Sequence, residues 1–204
     1  MKKLYLLLTV FALTSCSTST DPSVTSQPTC VTANTSFQQL YNPLNTIALP
    51  QSLSGFANAV THEYTFKVSS AATICSLGYQ SQANTSSLSY VLEVFDTVTA
   101  TVVGSVTAAF SSSATSYVSF ATPVALVVGR EYKIKRFSPA TTATPNGAGR
   151  CVSNSVMGGG NVSFPKTAGI LTITDSDFYT QNLTGQINAG DNNNSLPFID
   201  IVFQ

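Results

Sequence analysis

Tryptophan is absent from this 204-residue chain, histidine occurs once, and charged side chains make up only 9% of it. An ordinary soluble domain carries roughly 25% charged residues. Nine Lys and Arg balance nine Asp and Glu, so no basic field exists to gather phosphates, and nucleic-acid binding is excluded. One imidazole and scattered carboxylates leave little material for acid–base chemistry. No G-x-S-x-G segment occurs, and no cysteine pair has zinc-ligand spacing. Gly158-Gly159-Gly160 lacks the Lys-Ser/Thr that completes a phosphate cradle. No catalytic residue, metal ligand or cofactor site is therefore assigned. What the chain has in quantity is 27 Ser, 27 Thr and 43% hydrophobic residues. That apolar share is too high for a wholly disordered chain.

Lys2 and Lys3 precede an apolar run from Leu4 to Leu13. Such a run suits a secretory leader and is too short to cross a bilayer of roughly 30 Å as a helix. It ends in Leu13-Thr14-Ser15-Cys16, which resembles a bacterial lipobox: an aliphatic residue, two small residues, then cysteine. The resemblance implies removal of residues 1–15 and acylation of Cys16 on its sulfur and its new amino group. Several acyl chains on one residue anchor stably, where one chain binds only marginally. Loss of Lys2 and Lys3 would leave seven basic against nine acidic residues, a charge of about −2. No acidic cluster follows Cys16, which favours a periplasm-facing anchor at the outer membrane over surface export.

Residues 16–28 continue as small, polar, proline-punctuated sequence. Such a stretch cannot bury enough apolar surface to offset its ordering entropy and reads as a flexible tether. Residues 29–204 form one domain. Besides Cys16 it holds Cys30, Cys75 and Cys151, and an exported setting permits one disulfide among them. Spacing does not choose among three pairings. Cys30–Cys75, which would staple the opening segment to a strand, is placed first.

Hydrophobic periodicity is two almost throughout. His62-Tyr64-Phe66-Val68 alternates with Thr61-Glu63-Thr65-Lys67, and Tyr90-Leu92-Val94 with Val91-Glu93-Phe95. Tyr132 and Ile134 alternate with Lys133 and Lys135, and Ile199-Ile201-Phe203 closes the chain in the same manner. Asp96-Thr97 and Gly129 are turn signals. No segment after the leader shows a sustained 3.6-residue pattern with caps, so a helix-free, all-β antiparallel sandwich is predicted. Threonine suits it, because a β-branched hydroxyl gives a strand a polar outer face.

The segment Phe120-Ala121-Thr122-Pro123-Val124-Ala125-Leu126-Val127-Val128-Gly129-Arg130-Glu131-Tyr132, with Leu92-Glu93-Val94-Phe95-Asp96 upstream, is similar to bacterial extracellular jelly-roll modules across residues 60–137. The resemblance implies a jelly-roll-like sandwich found on envelope lipoproteins, adhesins and glycan-degrading enzymes. It transfers fold far better than activity. Those that hold sugars often stack them on tryptophan, for which this chain could substitute only Tyr or Phe.

The remaining candidates have plain structural readings. His62 shares a face with Tyr64 and Phe66 and reads as a core or rim residue. Asp175 and Asp177 read as a strand-end turn, and Asp191-Asn192-Asn193-Asn194 as an ordinary turn in place of a calcium loop. The basic group Arg130, Lys133, Lys135 and Arg136 splits between two strand faces, and its outward members, Lys133 and Lys135, read as charges that protect an exposed strand from edge pairing in preference to binding a ligand. Tyr79, Tyr117, Phe178 and Tyr179 are the aromatics expected on outer faces, where they could contact a glycan or an envelope protein. The expectation is a lipid-anchored envelope module, non-catalytic, that binds or builds. A carbohydrate-binding lipoprotein, an adhesin or appendage subunit and, last, an envelope hydrolase are the alternatives.

Overall fold

The computed structural model describes residues 29–47, 50–52, 59–81, 87–137, 150–153, 162–181, 187–188 and 195–204. Among the described residues the elements begin with one helix, α1 (Ser36–Ile47), and continue as β1 (Pro50–Ser52), β2 (Ala59–Val68), β3 (Ala72–Tyr79), β4 (Ser89–Asp96) and β5 (Thr101–Ala109). β6 (Ser116–Leu126), β7 (Tyr132–Phe137), β8 (Arg150–Ser153) and β9 (Lys166–Ala168) follow. β10 (Leu171–Gln181), β11 (Ile187–Asn188), β12 (Ser195–Pro197) and β13 (Ile199–Phe203) complete the order. Every strand pairing among them is antiparallel. The mostly β, antiparallel class predicted from alternation is what the chain adopts.

The largest sheet runs β11-β10-β2-β7-β4-β5, with β9 also on β10. A second sheet, β13-β3-β6, faces it, and a small sheet β1-β8-β12 lies at one end. The facing is direct. The Tyr64 hydroxyl on β2 donates to the Ile199 carbonyl on β13 at 2.5 Å. Tyr79 on β3 and Tyr90 on β4 bring their rings to 5.2 Å. Tyr64, Phe66, Ile74, Leu77, Leu92, Ile134, Ile173 and Ile201 are wholly buried between the layers, each worth roughly 1.5–3 kcal/mol of burial. On β2 and β7 the residues one step along, Glu63, Thr65, Lys67, Lys133 and Lys135, are polar, which is the two-residue period at work.

The helix corrects the helix-free expectation. Thr35 is its N-cap: its hydroxyl accepts from the Gln38 amide at 3.0 Å, while the Gln38 side chain accepts from the Asn34 amide at 2.8 Å. That is a variant of the reciprocal capping box. Phe37, Leu40, Tyr41 and Leu44 recur at helical spacing and face the core. Phe37 stacks on Tyr64 at 5.5 Å and meets Phe198 edge-on at 5.4 Å.

One carboxylate locks this helix in place. Asp200 on β13 is fully buried and accepts from Thr35 Oγ1 (2.6 Å), Gln38 Nε2 (2.7 Å) and Tyr117 Oη (2.8 Å). Burial pushes its carboxyl up from the usual range, against the opposing pull of these hydrogen bonds. Tyr117 lies flat over Gly78, where a Cβ would come within 2.4 Å of the ring. At the far end Gly129 has φ +72°, the left-handed turn for which glycine is suited.

Cys30 is joined to Cys75, across 45 residues of sequence, while Cys151 remains a buried thiol. A loop of that length limits the unfolded chain by about 4 kcal/mol in the chain-entropy treatment. Replacing the half-buried partner, Cys30→Ser, is expected to lower the unfolding free energy by about 2–4 kcal/mol. Urea melts of the oxidised protein and the variant check this, and equal midpoints would refute it.

Candidate functional site

Polar groups concentrate inside the sandwich at the end where β2 and β4 begin and β3, β5 and β7 finish. The register of the large sheet sets His62 on β2 opposite Arg136 on β7, and Arg136 opposite Leu92 on β4. All three side chains are fully buried. Arg136 places its guanidinium carbon 5.8 Å from the ring centre of Tyr79 and 5.6 Å from that of Tyr90. These are cation–π distances. Phe110 closes the cluster edge-on to Tyr79 at 5.3 Å. The chain thus carries a charged side chain into an aromatic cage built by both layers.

The electrostatics follow from burial. His62 is held well below its ordinary value, first by loss of water and then by the Arg136 cation beside it, so the ring is neutral at physiological pH. Burial pushes the Tyr79 hydroxyl up, with Arg136 opposing and Tyr90 and Cys151 reinforcing. Tyr79 therefore stays protonated, and Arg136 is the one positive charge in the cage.

The opposite face of the same sheet carries a charge ladder. Asp177, Glu63, Lys135 and Glu93 fall in one row across β10, β2, β7 and β4. Lys133 bonds Glu63 Oε1, Lys135 stands 4.0 Å from Glu63 Oε2, and Lys67 pairs with Glu131 at 3.4 Å. Lys135 also sits 4.0 Å over the Phe95 ring. Partial burial draws the Lys133 ammonium down, but Glu63, with Asp175 and Asp177 beyond it, raises it on balance.

Several sequence readings are corrected here. Asp175 and Asp177 are not a strand-end turn but lie inside β10, opposite Thr65 and Glu63. Lys133 and Lys135 do not guard an edge, because β7 is an inner strand between β2 and β4; their work is neutralising Glu63. Tyr79, expected on an outer face, has no exposed surface. Tyr117 is half-buried and spends its hydroxyl on Asp200. Phe178 and Tyr179 pair by backbone with His62 and Thr61, while Tyr79 is enclosed and Tyr117 is tied to Asp200, so these last two offer no outer platform. His62 is a core residue. Cys16, Gly158-Gly159-Gly160 and Asp191-Asn192-Asn193-Asn194 lie outside the described residues.

Arg136, placed by the sequence in a basic group split between two strand faces, is the member that the fold turns inward. Alternation alone marks it: Tyr132, Ile134 and Arg136 share one parity, and the first two are core residues. Among the described residues no group of three or more His, Cys, Asp and Glu could hold a metal, and no helix is long and apolar enough to cross a membrane. The sequence matches no protein-family model and no curated protein.

A histidine that is neutral when folded ties stability to pH. Below about pH 6.5 the unfolded chain protonates His62 and the folded chain does not, so the unfolded state holds more protons and stability falls as pH drops. The slope approaches about 1.4 kcal/mol per pH unit until the depressed folded value is reached. Urea melts between pH 7 and pH 5 (about 2 units, the span over which a free imidazole charges) should show it. His62→Gln removes that share of the slope; identical slopes in both proteins would disprove it.

Proposed function

We propose that this chain is an exported, lipid-anchored envelope protein whose body is a jelly-roll-like sandwich that binds and does not catalyse. The observation that carries export is the Cys30–Cys75 disulfide, a bond that persists in oxidising compartments and is rare in the reducing cytosol. The Leu13-Thr14-Ser15-Cys16 segment supplies the anchor, and residues 16–28 supply the tether. The layered antiparallel sheets and the strand–turn–strand run through Gly129 support the jelly-roll reading. The sole histidine is enclosed in the core and held neutral beside a cation, which speaks against its serving as a base for an external substrate.

Among the binding readings, an envelope protein partner is favoured over a glycan by one feature. Val98, Val102, Val103, Val127 and Val128 are all exposed, between 40% and 67%. They sit on the β4–β5 and β6–β7 turns and the start of β5, which meet where Thr97 donates to the Glu131 carbonyl and Arg130 pairs with Asp96. Aliphatic side chains offer a sugar ring no stacking surface, but they suit an apolar protein face.

Cys16→Ala is expected to move the protein from the membrane fraction to the soluble fraction after cell lysis. Immunoblots of the two fractions read this, and unchanged membrane association would overturn the anchored reading.

A further inference from the structure

Arg136 has no exposed surface, and among the described residues its Nε, Nη1 and Nη2 find no hydrogen-bond partner. Five N–H donors on a fixed charge are thus enclosed unmet. Leaving a buried cation uncompensated is among the costliest arrangements a core can hold, and native interiors rarely contain one. The rings of Tyr79 and Tyr90 attract the charge but accept from none of its donors in the plane of the guanidinium. His62 is neutral and cannot balance it. The described acids lie elsewhere: Glu63, Glu93, Asp175 and Asp177 belong to the other face of the sheet. At the opposite end Asp96 is engaged by Arg130 and Glu131 by Lys67, and Asp200 is engaged by Thr35, Gln38 and Tyr117.

We propose that Arg136 is the anchor of an anion-binding site between the two layers, and that its ligand is a small carboxylate. A guanidinium matches a carboxylate as a planar fork, two parallel N–H···O bonds at once. A single fixed charge in an aromatic cage suits a monoanion with an apolar body, which can lie against Tyr79, Tyr90 and Phe110. A phosphate dianion would call for a second cation, and His62 does not supply one. The cluster lies at the strand ends: Arg136 is the penultimate residue of β7, Tyr90 the second of β4 and Tyr79 the last of β3. The inference goes beyond the envelope reading and is independent of where the chain is anchored.

The test is thermal unfolding of the full chain in detergent, titrated with sodium acetate against sodium chloride at matched ionic strength. Above its dissociation constant, each tenfold rise in acetate multiplies the folded-to-unfolded ratio about tenfold. Chloride should not reproduce this, and Arg136→Met should abolish it. Equal shifts in both salts, equal shifts in the variant, or no shift in the wild type would each overturn the site. Should Arg136→Met fail to fold, the wild type decides alone by 15N NMR. Its three arginines, Arg130, Arg136 and Arg150, give three Nε–H signals, and acetate should move that of Arg136 and leave the other two. Three unmoved signals would mean that water or the chain itself meets the guanidinium, and would refute the proposal.

Discussion

A single buried carboxylate holds the opening segment to the sheets. Asp200 on β13 receives Thr35 and Gln38 from the helix cap and Tyr117 from β6. Gln38 Nε2 also reaches the Thr32 carbonyl at 2.8 Å, tying down the chain that enters the helix. A carboxylate is costly to bury without partners, and these satisfy it. Because Thr35 both caps α1 and bonds Asp200, helix start and helix docking are one event. The docked helix then sets Phe37 against Tyr64 and Phe198, closing the flank between the layers.

The interior treats two of its buried charges, Asp200 and Arg136, oppositely. Around Asp200, Thr35, Gln38 and Tyr117 all donate to the carboxylate. Around Arg136 the neighbours are ring faces and a neutral imidazole, which tolerate a cation without fixing its direction. The first arrangement is self-sufficient and reads as structure. The second is chemically incomplete within the sandwich, and incompleteness of that kind is what separates a site from a brace.

The β class was legible because the core needs one face of each strand, and the alternation through Thr61–Val68 and Tyr132–Phe137 records that need directly. The helix was also written in the sequence, as Thr35-x-x-Gln38 before Phe37, Leu40, Tyr41 and Leu44. Asn42, Pro43 and Asn45 mask it, since each disfavours a helix interior or marks a turn in isolation; tertiary packing of the apolar stripe overrides them. The candidate site was not legible. Parity marks Arg136 as inward, but an arginine at that position is ordinarily assumed to reach solvent. Nothing short of the sheet register reveals that His62 and Leu92 flank it. Tyr79 and Tyr117 failed as surface aromatics for a related reason: adjacent strands in other parts of the chain decide which face is covered.

The cross-link at Cys30 gives the molecule a mechanical polarity. Tension arriving along the chain from its N-terminal side reaches Cys30 first and passes through sulfur to Cys75, in the central strand of the β13-β3-β6 sheet. The intervening 44 residues, with α1 and β2 among them, are bypassed and carry no load. Extension would therefore have to shear β3 from neighbours on both sides at once, many hydrogen bonds loaded in parallel, before the helix felt any force.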